Sequence, residues 1–404
     1  MLKPDLVYDP TDPAVRRDPF PLYRRLRDDD PVHWSPVLKS WIVTRYHDIK
    51  SVALDPDVSA DRLADFYKAL PSPTQKVLAE VVRYLSLWVS FRDPPEHRRL
   101  RRLMSGAINP KMVQNLRPAV ETIVDDLACR LKPGEEIDVI SDFAMPLPAT
   151  VIMDMLGVPR EHMREIKHWS DELALFIGSA RGVPDKYERA RDGMRQIASL
   201  FRTLLAQRRA EPRDDLLSSL IAARDEDESL SEDELVAACI LVLFGGHETT
   251  TNLIGNAVLM MLEHPGQRER LAADPGLIDS AVEEFLRYDG PSNSLCRMVA
   301  VDHEIAGKPM RRGDRIFAML NAGNRDERAF AEPDRLDIGR DPNRHLTFGQ
   351  GAHFCIGAPL ARLEGSLAIN ALLARFPNMK LTGLEPEWRD AMIMRGMHSL
   401  RVRL

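Results

Sequence analysis

One stretch of this chain constrains its fold more than any other. From Ser231 to His264 the sequence shows helical apolar spacing and contains no Pro, and Leu235–Leu262 within it is apolar apart from His247, Glu248 and a few small polar residues. Ser231 and Glu234 stand at capping-box spacing, and Leu230 and Leu235 stand at hydrophobic-staple spacing. Pro265 disfavours helix at His264. A helix of about 33 residues is roughly 50 Å long, enough to cross an entire domain. An apolar helix of that length must be buried on most sides. A membrane span is the competing reading. Its uncharged run, Leu235–Gly246, is 12 residues long, whereas a span needs ~20, and Glu248 near the centre of a span would be expensive. We therefore expect a core helix of a large domain and no membrane anchor.

The rest of the 404-residue chain fits around that helix. Short strand-like pieces, Pro31–Trp34 and Ser40–Val43, precede a helical pattern near Asp48–Leu54. From Asp93 to about Arg287 the spacing is mostly helical. Strands follow at Arg297–Val301, Glu304–Ile305 and Arg315–Leu320, then a loop-rich stretch from Asn324 to Phe354. A helix is predicted over Pro359–Arg375 and a strand over Ser399–Arg403. Without a repeat, a linker or a break in composition, the chain predicts one mainly α domain with a small β region, residues 1–404. Its net charge of −6 disfavours wholesale nucleic-acid binding. The four cysteines, Cys129, Cys239, Cys296 and Cys355, form no CxxC, which argues against a disulfide scaffold or a Cys₄ zinc site. No signal peptide is visible near the N-terminus, so a cytoplasmic protein is expected.

Two segments carry chemistry. The middle of the long helix reads Phe244-Gly245-Gly246-His247-Glu248-Thr249-Thr250-Thr251. Each Gly costs a helix about 1 kcal/mol. Either the glycines serve close helix contact, or something approaches the backbone there and uses an acid and a hydroxyl. The second segment, Phe348-Gly349-Gln350-Gly351-Ala352-His353-Phe354-Cys355-Ile356-Gly357, frames one cysteine with three glycines just before a helix start at Pro359. Free N–H groups and the helix dipole favour a thiolate there. That thiolate can be a nucleophile, with His353 as its base, or a metal ligand. Zinc lacks further ligands at short spacing. A single thiolate suits haem iron, where it favours O–O cleavage.

The Phe348–Gly357 run resembles the haem-binding loop of the cytochrome P-450 monooxygenases (FGxGxHxCxG). Gly245–Thr249 is similar to that family's oxygen-activating helix motif. Glu284-Phe285-Leu286-Arg287 resembles its ExxR motif, with Arg335 matching the arginine that completes the cluster. Asp93–Arg101 is similar to its propionate-binding helix. The resemblance runs from about residue 90 to 364. It implies haem b (iron protoporphyrin IX) with Cys355 as the axial iron ligand, His97, Arg101, Arg297 and His353 on the propionates, and Glu248 and Thr249 delivering protons to dioxygen. Glu284, Arg287 and Arg335 would lock the core beneath the loop. His345 stays open between a propionate contact and a loop support.

The resemblance further implies insertion of one oxygen atom into a hydrophobic small molecule, RH + O₂ + 2e⁻ + 2H⁺ → ROH + H₂O. The pocket would draw on the segment before Asp93, Phe176–Gly182, Leu243, Phe244, Ser294, Leu295 and Ile393, with Gly178, Gly182 and Pro184 as lid candidates. Electrons would come from a separate ferredoxin-type donor, because no GxGxxG dinucleotide motif follows a strand. Arg98, Arg99 and Arg102 offer a basic face for that donor. Two rivals are a haem-thiolate enzyme that does not oxygenate and a non-catalytic haem sensor or cofactor-free binding protein. The acid–alcohol pair counts against both.

Overall fold

The computed structural model describes residues 6–177, 183–224 and 228–404. It is 58 % helical with a small β region, so the fold is mainly α as the spacing predicts. The chain forms two compact units. One comprises Ala60–Ile123 and Pro148–Glu248; the other comprises the chain up to Ser59, Val124–Leu147 and Thr249–Leu404.

The first unit is helical. It contains α1 (Ser72–Leu85), α2 (Glu96–Ala107), α3 (Met163–Ile177), α4 (Lys186–Ala210) and the start of α5 (Glu232–Glu263). The capping box of α5 forms as the sequence predicts. The Ser231 N–H donates to Glu234 Oε2 at 2.8 Å and the Glu234 N–H reaches Ser231 Oγ at 3.4 Å. The same first turn is pinned from two sides. Arg83 of α1 gives a two-pronged pair to Asp233, both bonds 2.8 Å, and Arg99 of α2 pairs with Glu234. Burial would raise the Glu234 carboxyl, but the Ser231 and Arg99 bonds outweigh it and hold it below its ordinary value.

The second unit holds the rest of α5, α6 (Ile278–Asp289) and α7 (Ala358–Arg375). Leu253, Ala257 and Met260 of α5 pack with Val282 and Phe285 of α6 and Ile369 and Leu373 of α7 in one core. Five strands form the main sheet: β1 (Val32–Ser35), β2 (Ser40–Val43), β3 (Val58–Ser59), β4 (Ser294–Val299) and β5 (Arg315–Met319), in the order β1-β2-β5-β4-β3. The β2–β5 pair is parallel, with Ile42 opposite Phe317, and its strands are apolar and buried (Ile42, Val43, Ile316, Ala318). Among the described residues no helix is long and apolar enough to cross a membrane.

Two strand readings differ from expectation. The predicted Ser399–Arg403 strand is two pieces, Met397–Ser399 and Arg401–Arg403, in different sheets. Leu400 is the break: its N–H donates to Asp138 Oδ1 and its carbonyl accepts from Val139. Lys308–Met310 pairs with His303–Ile305 although it contains Pro309. A two-stranded ribbon has edges on both sides, where Pro is tolerated.

Candidate functional site

The cysteine loop is built by short-range geometry. Gly349 and Gly351 have φ of +74° and +64°, and a Cβ on Gly351 would lie 2.6 Å from Leu54 Cδ2. Both positive φ and close approach exclude a side chain there. The Cys355 N–H donates to the Phe348 carbonyl at 2.9 Å, which closes the loop. Cys355 is exposed, and α7 starts three residues later with Pro359 in its first turn. His353 ends the short turn Gly351–His353 ahead of it. Arg297 sits in β4, buried, with Nη1 donating to the Cys296 carbonyl at 3.0 Å.

Beneath this loop lies a buried ion cluster. Glu284 and Arg287 are both fully buried and joined by two bonds, 2.7 and 2.8 Å. Arg287 also donates to the carbonyls of Asn324 and Pro333, each at 2.8 Å. The expectation for Arg335 needs correction. Its guanidinium is 56 % exposed and pairs with Glu332 at 2.9 Å; only its backbone carbonyl joins the cluster, accepting from Arg287 at 3.2 Å. The second cation on Glu284 is Arg340, 12 % exposed, with Nε 3.2 Å from Oε2. His345 is bonded to the loop and to α6. Its Nδ1 accepts the Thr347 N–H at 3.2 Å and its Nε2 lies 3.2 Å from Glu283.

The middle of α5 carries the acid–alcohol pair, Glu248 as the last residue of the helical unit and Thr249 as the next along the helix. His247 and Glu248 are buried and Thr249 is half-buried. His247 Nδ1 donates to the Leu243 carbonyl at 2.6 Å, and its Nε2 lies 3.9 Å from Glu248 Oε2. Burial pushes the His247 imidazole below its ordinary value, with the nearby Glu248 charge opposing, so the ring is neutral at pH 7. The two glycines have different reasons. A Cβ on Gly246 would lie 2.3 Å from Ile152 Cδ1, so a side chain there would have to displace that of Ile152; around the Cβ position of Gly245 nothing lies within 4 Å. On α2, His97 is buried and Arg101 half-buried, one turn apart on one face.

Of the pocket candidates, Leu243 and Phe244 are buried in the helical unit, where the Phe244 ring lies 5.8 Å from that of Trp88. In the second unit the structure brings Ser294 to Ile393: the Ser294 N–H reaches the Ile393 carbonyl at 3.3 Å and its Oγ donates to the Met392 carbonyl at 3.0 Å. Leu295 is half-buried against the sheet core. Gly178 and Gly182, and the Phe176–Gly182 segment beyond Ile177, lie outside the described residues; Pro184 is described, in the turn before α4. Sequence reasoning missed Arg340, Trp88 and Glu364. Glu364 is fully buried on α7. Burial pushes its carboxyl up to about 8, with the nearby Thr250 hydroxyl of α5 opposing.

The donor chemistry of the cysteine loop, one exposed thiol framed by positive-φ glycines, fits an iron-bearing prosthetic group held through sulfur. Cys355, Gly351 and Phe354 stay exposed although α7 behind them is buried. Gly245 is exposed in mid-helix, between the buried Leu243–Phe244 and His247–Glu248. Each unit thus presents an uncovered backbone face where its motif lies.

Comparison with known proteins gives the family. The family model described as Cytochrome P450 matches residues 71–274 and 276–395. The chain is 39 % identical over 394 residues to a vitamin D(3) 25-hydroxylase of Pseudonocardia autotrophica, covering 96 % of this chain and 94 % of that one. It is 35 % identical over 411 residues to the 6-deoxyerythronolide B hydroxylase of Saccharopolyspora erythraea, covering 99 % and 98 %. Among solved structures, P450BioI in complex with hexadec-9Z-enoic acid ligated acyl carrier protein is similar with a TM-score of 0.90 at 35 % identity, over 97 % of this chain and 99 % of that one. The chain belongs to the cytochrome P450 family. It is accordingly a haem-iron monooxygenase, an oxidoreductase that uses dioxygen and a small-molecule substrate.

Proposed function

We propose that residues 1–404 act as one cytochrome P450 domain that oxygenates a hydrophobic small molecule, in which Cys355 would ligate the haem iron and electrons would come from a separate ferredoxin-type donor. The observation that carries the reading is Cys355 itself. It is exposed at the end of a loop that only glycine can form, its N–H is fixed to Phe348, and a helix start follows it. That dipole favours the thiolate form. His97, Arg101, Arg297 and His353 would hold the propionates, where guanidinium groups supply permanently charged forked donors. When bound, the haem supplies activation of dioxygen.

The chain's own part is proton handling and exclusion of water. Glu248, buried beside His247, would relay a proton through Thr249 Oγ1. A positioned acid of this kind contributes about 10²–10⁴ in rate. Leu243, Phe244, Ser294, Leu295 and Ile393 are apolar or have their polar atom bonded, which suits an apolar ligand. Relatives named for a vitamin D, an erythronolide and a carrier-bound hexadecenoic acid support a substrate of some size. A cytoplasmic site of action is part of this proposal, consistent with four free thiols.

The test is the spectrum of the reduced, carbon-monoxide-treated protein. A thiolate-type Soret band is expected, and Cys355→Ser should abolish it. A nitrogen-type band in the wild type, or an unaltered band in the variant, would reject Cys355 as the ligand.

A further inference from the structure

Glu283 adjoins Glu284 on α6 but faces other partners. Its carboxylate accepts both prongs of Arg362 from α7, Nε to Oε1 at 2.6 Å and Nη2 to Oε2 at 2.8 Å. His345 binds the same carboxylate: because its Nδ1 accepts the Thr347 N–H, its Nε2 carries the proton and donates to Glu283 at 3.2 Å. Both held groups flank the next residue of the loop. The Arg362 guanidinium lies 4.7 Å from the Phe348 ring centroid, and the His345 ring lies 5.6 Å from it. The Phe348 carbonyl takes the Cys355 N–H. Contact therefore runs from Glu283 through Arg362 and Phe348 to the cysteine.

We propose that Arg362, aimed by Glu283, is a positioning residue that sets the reduction potential of the haem iron by placing a fixed cation behind Phe348, close to the Cys355 thiolate. The proposal rests on Cys355 as the ligand. A loop support alone would need no charge at this place, since an apolar side chain would pack on Phe348 as well. The guanidinium stays charged at every working pH; the bonds to Glu283 and, last, the charge of a Cys355 thiolate hold its pKa above the ordinary value against burial. Burial opposes ionisation of Glu283, yet the Arg362 and His345 bonds hold its carboxyl at about 2, so the pair is ionic and fixed. A cation near the thiolate favours the reduced, more negative site. Arg362 and Glu283 are 38 % and 26 % exposed, so salt should weaken the effect.

The experiment is a spectroelectrochemical titration of the haem-loaded full chain at low and high ionic strength. It compares wild type, Arg362→Gln, Arg362→Lys and Glu283→Gln, each with its reduced carbon-monoxide spectrum. Arg362→Gln should lower the potential. Glu283→Gln should raise it, because the cation remains and the amide still offers one acceptor. Arg362→Lys should stay near wild type, and the differences should shrink in high salt. Shifts of the same sign in Arg362→Gln and Glu283→Gln, no shift in either, or loss of haem from all three variants would reduce the triad to a structural clamp and overturn the proposal. A wild type without a thiolate-type band would instead refute the ligand reading, and the proposal with it.

Discussion

Arg340 and Arg287 share one carboxylate: Arg340 Nε stands 3.2 Å from Glu284 Oε2, and Arg287 Nε stands 2.7 Å from the same atom. Asn343 Nδ2 and the Asp337 N–H complete the shell, at 3.1 and 2.8 Å. Two cations on one buried anion tie α6 to the segment that leads into the cysteine loop.

That geometry separates two arginines five residues apart. Removing one partner from a buried pair costs about 3–5 kcal/mol, whereas exposed pairs contribute ~0–1 kcal/mol. Arg340→Ala should therefore lower the urea midpoint strongly and weaken haem retention. Arg335→Ala, which keeps the backbone carbonyl that Arg287 uses, should change little. Equal losses in the two variants would contradict the assignment of Arg340 to the cluster.

The proposed roles of Glu248 and Thr249 predict different defects. Thr249→Ala should keep haem and substrate binding but divert reducing equivalents to hydrogen peroxide. Glu248→Gln should slow turnover by about 10²-fold, within the range for a positioned acid. Peroxide release is measured against NAD(P)H consumed in a system with ferredoxin and its reductase. Full coupling of consumption to product in Thr249→Ala would contradict the role of that hydroxyl.

Local features were legible in the sequence and tertiary ones were not. The Ser231–Glu234 box and the cysteine loop are short-range: caps and positive-φ glycines depend on residues three or four apart, so spacing alone predicts them. Arg335 and Arg340 both follow Pro333 within a few residues, and which guanidinium turns inward depends on the path of the chain from Pro333 to Asn343. No periodicity carries that information. Glu364 was hidden for a related reason. The stripe Leu360, Leu363, Leu367 marks one face of α7, but Glu364, Gly365 and Ser366 are buried too. A helix covered on nearly all sides conceals its polar residues from an amphipathic pattern.

Glu364 gives a pH prediction. Its folded carboxyl is raised to about 8 by burial, while an unfolded Glu titrates near ~4.3. Between those values the native state binds the extra proton, so stability falls as pH rises from about 4 to about 8 and is flat above. Glu364→Gln removes this component. Compared with wild type, the variant should have a similar thermal midpoint near pH 5 and a higher one near pH 8. Parallel midpoint–pH curves for the two proteins would exclude a buried, protonated Glu364.

The ferredoxin-type donor is tested on α2. Arg99 is engaged with Glu234, which leaves Arg98, exposed, and Arg102, 62 % exposed and 4.0 Å from Glu228, as the cations that face water. Exposed cations steer an acidic partner, and steering of this kind changes association rates by about 10–10³-fold at low salt. Reversing both charges, Arg98→Glu with Arg102→Glu, should slow reduction by a ferredoxin about tenfold or more in dilute buffer and flatten the dependence on ionic strength. Dithionite reduction, which needs no docking, should be unchanged and serves as the control. If ferredoxin reduces the double variant at the wild-type rate with the wild-type salt slope, the donor docks elsewhere on the molecule.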